Sequence, residues 1–198
     1  MSKSIYFFTV LFSLALLSLA KPASLKKFDL DNAESTIKWT GKKVTGSHWG
    51  FIKFSDGTLS VSNAALKGGT FNIDMTSMDC QDTKGEYGDK LIGHLKSDDF
   101  FASEKFPKST LVIKSISNKG KGKYVIAADL TIKGITQRVS FPANVSISKS
   151  NLTATATFNI NRTKYDIKYG SGSFFENLGD KAIDDNFKVE IKIIAKTA

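Results

Sequence analysis

A small set of side chains in this sequence could take part in chemistry. The two histidines, His48 and His94, could act as bases, and the single cysteine, Cys80, could act as a nucleophile. Two pairs of adjacent aspartates, Asp98-Asp99 and Asp184-Asp185, could act as acids. Whether any of these groups reacts depends on the residues around it.

The surroundings of these side chains argue against catalysis. Cys80 has Asp79 and Asp82 as close neighbours, and negative charge raises the pKa of a thiol and so disfavours the reactive thiolate. Adjacent aspartates on a strand point to opposite faces, which makes them poor acid–base partners. The sequence also has no Gly-x-Ser-x-Gly elbow and no phosphate-binding loop. We therefore expect that this protein is not an enzyme.

The sequence contains few of the cysteines and histidines that commonly bind metals. One cysteine excludes an internal disulfide framework and any multi-cysteine zinc or iron–sulfur site. The two histidines leave a histidine-based metal site open, but no cluster in the sequence has metal-ligand spacing. We expect neither a bound metal nor a cofactor.

The chain is strongly basic, and its basic residues are nearly all lysines. Its 198 residues include 28 lysines and arginines against 19 acidic residues, which gives a net charge of +9. Only Arg138 and Arg162 are arginines. Sequence-specific nucleic-acid readers favour the bidentate arginine fork, so we expect no nucleic-acid partner. A lysine-coated surface suits solubility or transient contact with an anionic membrane surface.

The first twenty residues have the pattern of a secretory signal peptide. Lys3 supplies a short positive region, and residues 5–19 form an almost wholly apolar stretch. Ser18 and Ala20 are the small residues that signal peptidase reads. The apolar stretch is shorter than the roughly 20 residues that span a bilayer. We expect cleavage after Ala20 and a mature domain of residues 21–198 that is periplasmic or secreted.

Beyond residue 24, apolar and polar residues alternate along the chain. Between Tyr124 and Ile132, for example, every even position is apolar, with Asp129 and Thr131 among the positions between. The same alternation recurs over residues 36–40, 71–75, 139–147, 152–160 and 189–195. Strict alternation over so many runs predicts half-buried antiparallel strands with one apolar face.

Turn-forming residues separate successive runs. They are Asp56-Gly57, Lys67-Gly68-Gly69, Asn118-Lys119-Gly120, Lys133-Gly134 and Ser148-Lys149-Ser150-Asn151. Residues of these types join neighbouring antiparallel strands in hairpins. About eight strands in up-and-down order with one apolar face form a closed barrel or a two-sheet sandwich. Because the strands are long and no helical layer covers them, we expect an all-β fold, a single up-and-down antiparallel β-barrel.

One stretch departs from the alternation, from about Asp82 to Phe106. Its residues Tyr87, Leu91, Leu95 and Phe100 predict a short helix or a lid-like excursion. It is the only long break that we identify in the strand pattern, and such breaks in compact domains tend to be lids or binding loops. No repeat, linker or change in composition marks a second domain.

Four motifs along the chain resemble those of one known family. They are Gly46-Ser47-His48-Trp49-Gly50-Phe51 after Lys42, His94-Leu95-Lys96-Ser97-Asp98-Asp99-Phe100-Phe101 with Phe106-Pro107, Leu130-Thr131-Ile132-Lys133-Gly134-Ile135-Thr136, and Phe158-Asn159-Ile160-Asn161-Arg162. Four motifs in this order with matching gaps are specific, and the match extends from about residue 28 to residue 196. On these motifs the sequence resembles the YceI-like, polyisoprenoid-binding family of secreted bacterial proteins.

The resemblance implies an extended lipocalin-like barrel that holds a long apolar chain in its lumen, without a metal and without catalytic machinery. The expected partner is an isoprenoid or another long-chain lipid, held for storage or transport. The candidate ligand-binding residues are Trp39, His48, Phe51, Phe71, Ile73, Met75, Leu91, His94, Leu95, Phe100, Phe101, Leu111, Ile113, Phe158 and Phe174. The oligomeric state, a homodimer included, is left open.

An eight-stranded barrel can instead fill its interior with its own side chains. The alternative function is therefore a periplasmic stress or interaction protein with a filled barrel and no small ligand.

We expect the excursion to close over the mouth of the barrel. Phe100 and Phe101 would grip the ligand as parts of a lid rather than of the core, and His94 would hydrogen-bond a polar head group. Phe174 lies in the glycine-rich stretch 170–175, which predicts a flexible gate.

Overall fold

The computed structural model describes residues 24–198, so the predicted signal peptide and its cut after Ala20 lie outside the described residues. The described part contains nine strands: β1 (Lys26–Leu30), β2 (Thr36–Lys43), β3 (Gly46–Ser62), β4 (Ala65–Asp74), β5 (Lys108–Asn118), β6 (Lys123–Ile132), β7 (Ile135–Ile147), β8 (Asn151–Asn161) and β9 (Asn186–Thr197). Its α-helix, α1 (Gly85–Lys96), lies between β4 and β5. Within residues 24–198, no helix combines the length and the apolar composition needed to cross a bilayer.

The strands form one closed antiparallel barrel. From β2 to β9 each strand pairs with the next, and β2 pairs with β9, where Ile37 lies opposite Ile191 and Trp39 opposite Val189. The short β1 lies between β3 and β9, as β2 does, but it pairs with later residues of both strands. Eight strand positions therefore close the barrel. The predicted all-β, up-and-down barrel with one short helix is confirmed.

Alternation decides which face of each strand is inside. On β6, for example, Ile126, Leu130 and Ile132 are buried, whereas Val125 is exposed. Facing side chains of neighbouring strands pack against each other, as in the stacked rings of Phe141 and Phe158, with centroids 4.2 Å apart. Each large apolar side chain contributes about 1.5–3 kcal/mol when it is fully buried. The barrel wall is thus stabilised by many similar contributions.

Two of the predicted turns are wrong. Asp56-Gly57 lies inside β3 and Lys67-Gly68-Gly69 lies inside β4, while the two strands are joined at Asn63-Ala64, where both φ angles are positive. The glycines allow close packing instead: a Cβ on Gly57 would lie 2.7 Å from Cδ1 of Phe71. The β3–β4 pairing also shifts register at two places. Bulges and glycines of this kind bend long strands around a small barrel.

The other predicted turns join the expected strands. Asn118-Lys119-Gly120 leads from β5 towards β6, and Ser148-Lys149-Ser150-Asn151 joins β7 to β8. Lys133-Gly134 joins β6 to β7 with positive φ at both residues, as a two-residue hairpin requires.

Two long segments lie at the same end of the barrel, which we name the capped end. The first cap is residues 75–107, between β4 and β5, and contains α1. The second cap is residues 162–185, between β8 and β9, and its regular structure consists of short 3₁₀ turns at Arg162–Tyr165 and Gly179–Lys181. The predicted excursion is therefore confirmed, but the expectation that it is the only long break is wrong.

Candidate functional site

The barrel encloses a cavity of about 280 Å³. Its wall consists of inward-facing apolar side chains from all the strands β2 to β9, among them Trp39, Phe71, Phe141 and Phe158. The volume lies just below the roughly 300–1,000 Å³ of typical small-molecule sites. The interior is therefore not completely filled by the side chains of the barrel itself.

Most of the residues that the sequence suggests for ligand binding line this cavity. They are Trp39, His48, Phe71, Ile73, Met75, Leu91, His94, Leu95, Phe100, Phe101, Leu111, Ile113 and Phe158. They come from five strands and from the first cap. Their position on one cavity is as expected, and their role in binding stays a prediction.

Two of the candidate residues, Phe51 and Phe174, lie outside the cavity. Ile52 and Phe54 face inward on β3, so Phe51 faces outward, where its ring packs edge-on against Trp49 at 5.8 Å between centroids. Phe174 is 50% exposed, and the ammonium group of Lys168 lies over its ring, 5.2 Å from the centroid. The cavity therefore does not support a binding role for these two residues, and that role stays a prediction.

The polar residues that line the cavity lie almost entirely at the capped end. They are Lys42, Lys43, His48, His94, Ser109, Arg162, Asp184 and Asn186. Thr155, on β8, is the polar lining residue that lies elsewhere. The surface of the cavity itself is nearly all apolar, and its few polar neighbours are thus gathered at one end, where only the two histidines are predicted from the sequence as binding residues.

The two caps meet through aromatic rings at the capped end. The imidazole of His94, in α1, packs edge-on against Phe100 at 4.9 Å and against Tyr169 of the second cap at 4.6 Å, between ring centroids. The guanidinium of Arg162 lies 5.8 Å from the centroid of Phe100. Aromatic pairs at such distances contribute about 0.5–1.5 kcal/mol beyond the burial of their area. The rings therefore hold the caps together across the end of the cavity.

Phe100 belongs to the core, which corrects the expectation that both lid phenylalanines lie outside it. Its ring is 5% exposed, because the turns after α1 carry it inward between His94, Tyr169 and Arg162. Phe101 is only half-buried, and its ring packs edge-on against Phe187 of β9. Of the two, Phe101 fits the predicted lid better.

Arg162 organises the second cap, a role that the sequence analysis misses. Its guanidinium is buried, and its three nitrogens donate hydrogen bonds to the backbone carbonyls of Asp184, Ile167 and Ile183 at 2.8–2.9 Å. Asp185 lies 3.8 Å away and compensates the charge. A rare arginine at the end of a strand in a lysine-rich chain is the signal that could have revealed it.

The charge of Arg162 also affects Asp185. Burial by itself raises the pKa of the Asp185 carboxyl, but hydrogen bonds from Ser171 and Ser173 and the charge of Arg162 outweigh burial and lower the pKa. Asp185 is therefore ionised at neutral pH and stays paired with the guanidinium.

The surroundings of Cys80 disfavour the reactive thiolate form of its side chain. Burial raises the pKa of the Cys80 thiol, and the hydrogen bond that its Sγ donates to Oδ1 of Asp82, at 3.3 Å, adds to the increase. The predicted direction of the pKa shift is confirmed, with burial as the larger cause. A protonated, buried thiol is a poor nucleophile.

Comparison with known proteins places the chain among a group of bacterial proteins. The model of the YceI-like domain matches residues 28–195. A UPF0312 protein of Staphylococcus aureus (strain USA300) is 33% identical over 157 residues, which cover 73% of this chain and 84% of that protein. A UPF0312 protein of Shewanella denitrificans is 33% identical over 89 residues, 45% of this chain and 44% of that protein.

Solved structures share the fold at lower identity. BcnA of Burkholderia cenocepacia superposes with a TM-score of 0.69 at 22% identity, over 83% of this chain and 98% of that one. A polyisoprenoid binding domain from Saccharophagus degradans gives a TM-score of 0.61 at 15% identity, over 88% of this chain and 100% of that one. The YCEI protein of Campylobacter jejuni gives 0.53 at 16% identity, over 99% and 98%. By the family model and the staphylococcal relative, this chain belongs to the YceI-like family.

Proposed function

We propose that this protein is an extracytoplasmic carrier that holds a long-chain isoprenoid, or a similar amphiphilic lipid, inside its barrel. The observation that carries the proposal is a nearly wholly apolar cavity inside the barrel, with the polar residues of its lining gathered at the capped end. An isoprenoid with a polar head group likewise has a long apolar part and one polar end. The Saccharophagus degradans neighbour is described as a polyisoprenoid binding domain, which supports this ligand class.

Burial of the tail can account for tight binding without directional chemistry. Each methylene removed from water contributes about 0.8 kcal/mol, so a dozen buried carbons contribute about 10 kcal/mol before the cost of association. The deeper walls, with residues such as Leu111, Ile126 and Ile193, present only hydrocarbon. We therefore expect affinity to depend on chain length more than on any one polar contact.

The lipid head group belongs at the capped end in this proposal. Lys42 and Lys43, at the end of β2, line the cavity there and are exposed to solvent. Asn186, at the start of β9, does the same from the neighbouring strand. Ammonium and amide groups donate hydrogen bonds, so they favour a head group rich in acceptor oxygens.

The alternative, a filled barrel that acts only through its surface, is less well supported because the interior contains a cavity of about 280 Å³. Membership in the YceI-like family favours binding over catalysis. The periplasmic or secreted location rests on the signal-peptide pattern of residues 1–20.

The two tryptophans provide a test with an internal control. Trp39 lines the cavity, whereas Trp49 packs against Phe51 outside it. In a Trp49→Phe variant, a polyprenol added in detergent should change the fluorescence of the remaining Trp39 and saturate. In Trp39→Phe, the fluorescence of Trp49 should change little. A response of Trp49 alone would place the binding site outside the barrel.

The bound lipid itself can be identified from protein purified from its native host. Extraction into organic solvent followed by mass spectrometry should yield a long-chain amphiphile in near-stoichiometric amount. The proposal fails if the extract contains no lipid and Trp39 does not respond to added polyprenols.

A further inference from the structure

Three side chains of different chemistry converge beside the capped end. Nδ1 of His48, at the start of β3, lies 3.0 Å from Oδ2 of Asp82, and Sγ of Cys80 lies 3.3 Å from Oδ1 of the same carboxylate. The nitrogen, the sulfur and the carboxylate oxygen all lie within 4.8 Å of one another. His48 is 32 positions from Cys80 and 34 from Asp82 along the chain, so only the fold brings it to them.

Backbone hydrogen bonds hold the two segments that carry these side chains against each other. The segment that carries Cys80 and Asp82 runs alongside β3, where Asp79 N–H donates to the carbonyl of Phe51 at 3.0 Å and Gln81 N–H donates to that of Trp49 at 2.9 Å. This approach requires glycine at position 50, since a Cβ there would lie 2.0 Å from the carbonyl oxygen of Asp79. The approach of the two segments is thus fixed by the main chain.

We propose that His48, Cys80 and Asp82 form a binding site for a divalent metal ion of borderline softness, with zinc as the best match. An imidazole nitrogen, a thiolate and a carboxylate are the three ligand types that zinc takes in proteins, at about 2.0–2.3 Å from the metal. A tetrahedral site with such bonds has ligand–ligand distances of about 3.3–3.8 Å. The three atoms lie within 4.8 Å of one another, so binding of the ion would draw them closer together.

Hard cations fit the site less well. Calcium and magnesium take oxygen ligands in larger numbers, and a thiolate disfavours both. The charge balance admits a divalent ion, because the thiolate and the carboxylate of the site carry two negative charges. The nearby charges cancel: Lys84 is positive and donates to the carbonyl of Cys80 and to the side chain of Gln81, and Asp79, which accepts from Gln81, is negative. Binding replaces the proton on Sγ with the metal ion and releases that proton to solvent.

The site leaves one ligand position open. Three protein ligands with a water molecule in the fourth position are a common zinc arrangement. Thr83 Oγ1 lies 3.3 Å from His48 Nδ1 and could position that water molecule. His48 also lines the barrel cavity, so an ion bound here would lie in the wall of its capped end.

Cobalt(II) is the probe that tests the proposal, because it occupies zinc sites and gives a charge-transfer absorption band when a thiolate is its ligand. Added to purified, reduced protein, it should give this band with saturation at one equivalent, and zinc should remove the band by displacing the cobalt. Replacement of one ligand should weaken zinc binding by at least about 100-fold, measured by competition with a chelating dye.

The variants separate this site from general metal adsorption. Cys80→Ser should abolish the band, and His48→Gln, at a half-exposed position that spares the core, should weaken zinc binding to a similar extent. The matched control is His94→Gln. His94 also contacts a carboxylate, with Nε2 3.2 Å from Oδ2 of Asp99, but no thiol is proposed as a third ligand at that pair. The absence of a thiolate band in the folded protein, or equal losses in His48→Gln and His94→Gln, would overturn the proposal.

Discussion

The two caps cover the same end of the barrel but are held by different interactions. The first cap contains α1, and its Leu91 and Leu95 line the cavity while Phe100 is buried in the core. The second cap has only short 3₁₀ turns in its regular structure, and the guanidinium of Arg162 fixes its two ends by bonding to backbone carbonyls. The first cap is therefore held by apolar burial, whereas the second adds a buried charge to the buried side chains of Tyr165 and Ile167.

From this difference we expect the two caps to respond differently to substitutions. Apolar burial is non-directional and shared among several side chains. A substitution should therefore lower the free energy of unfolding in proportion to the buried apolar surface that it removes. A guanidinium that satisfies three carbonyls is directional, and its loss leaves all of them without their partner. The second cap should thus be more sensitive than the first to the loss of a single polar side chain.

The largest effect is expected at Arg162. Arg162→Met keeps much of the side-chain volume but removes every hydrogen bond of the guanidinium and leaves Asp185 without its counter-charge. We expect a loss of about 4 kcal/mol in the free energy of unfolding, typical of a broken buried ion pair. Urea unfolding measures it.

Arg138→Met is the matched control for that experiment. Arg138 pairs with Asp129 on the outer face of the barrel, where its side chain is 56% exposed. An exposed pair contributes about 0–1 kcal/mol. Equal losses in the two variants would show that the second cap does not depend on its buried arginine.

The second prediction concerns the apolar first cap. Phe100→Ala should lower the free energy of unfolding by about 3 kcal/mol, because it leaves a cavity between His94, Tyr169 and Arg162. Phe174→Ala, at a half-exposed ring of the second cap, should change it by less than about 0.5 kcal/mol. A fully stable Phe100→Ala variant would return Phe100 to the role of a movable lid residue.

The wall of the barrel could be predicted from sequence because it depends on a local pattern. The alternation from Tyr124 to Ile132 alone indicates which side chains of β6 are buried. The pairing of strands in the barrel does not change which of them face inward. The glycines of β3 and β4 are misread as turns because a glycine that admits a neighbouring ring, as Gly57 admits Phe71, looks the same in sequence as a turn glycine.

The capped end was predictable only in part, because its contacts join distant residues. The spacing of Tyr87, Leu91 and Leu95 predicts a helix there, and Leu91 and Leu95 line the cavity, but Tyr87, in the first turn of α1, is exposed. The carbonyls that bind Arg162 belong to main-chain positions up to 22 residues away and have no sequence signature. Likewise, His48 meets Cys80 and Asp82 only because residues 79–82 run alongside β3.

The third prediction uses pH to test the charge in the second cap. Hydrogen bonds and the charge of Arg162 outweigh burial and lower the pKa of Asp185 below its unfolded value of about 3.9. Asp185 therefore stabilises the folded protein at pH values above about 4, and this contribution is lost as the pH falls through the folded pKa. Asp185→Asn should cost about 1.5 kcal/mol near neutral pH, and the difference from the unaltered protein should shrink in acid.

Urea unfolding at a series of pH values measures that difference. Asp98→Asn, in the first cap, is the control, since Asp98 pairs with Lys105 at the surface and both side chains are more than 60% exposed. Its effect on the free energy of unfolding should be small at every pH. A difference for Asp185→Asn that does not change with pH would mean that the cap is not held through the ionised carboxylate.

The smallest effect on stability, and the most direct test of how the caps act together, is expected at Lys133. This residue of the β6–β7 turn donates from Nζ to the carbonyl of Asp98 in the first cap, at 3.1 Å, and to that of Asp166 in the second, at 3.4 Å. Lys133→Met keeps the aliphatic stem and should cost less than about 1 kcal/mol, because both bonds are near the surface.

The same substitution should have a larger effect on ligand exchange if a lipid leaves through the capped end. Separation of the two caps breaks both hydrogen bonds of Lys133. Their loss should therefore lower the energy barrier to ligand release more than it lowers the free energy of unfolding. Transfer of a fluorescent polyprenol from preloaded protein to vesicles should be several-fold faster for Lys133→Met than for Lys149→Met, an exposed lysine in the β7–β8 turn at the opposite end. Unchanged release from a loaded Lys133→Met variant would mean that the caps do not separate on the exit path, and the opposite end would then be the next candidate for it.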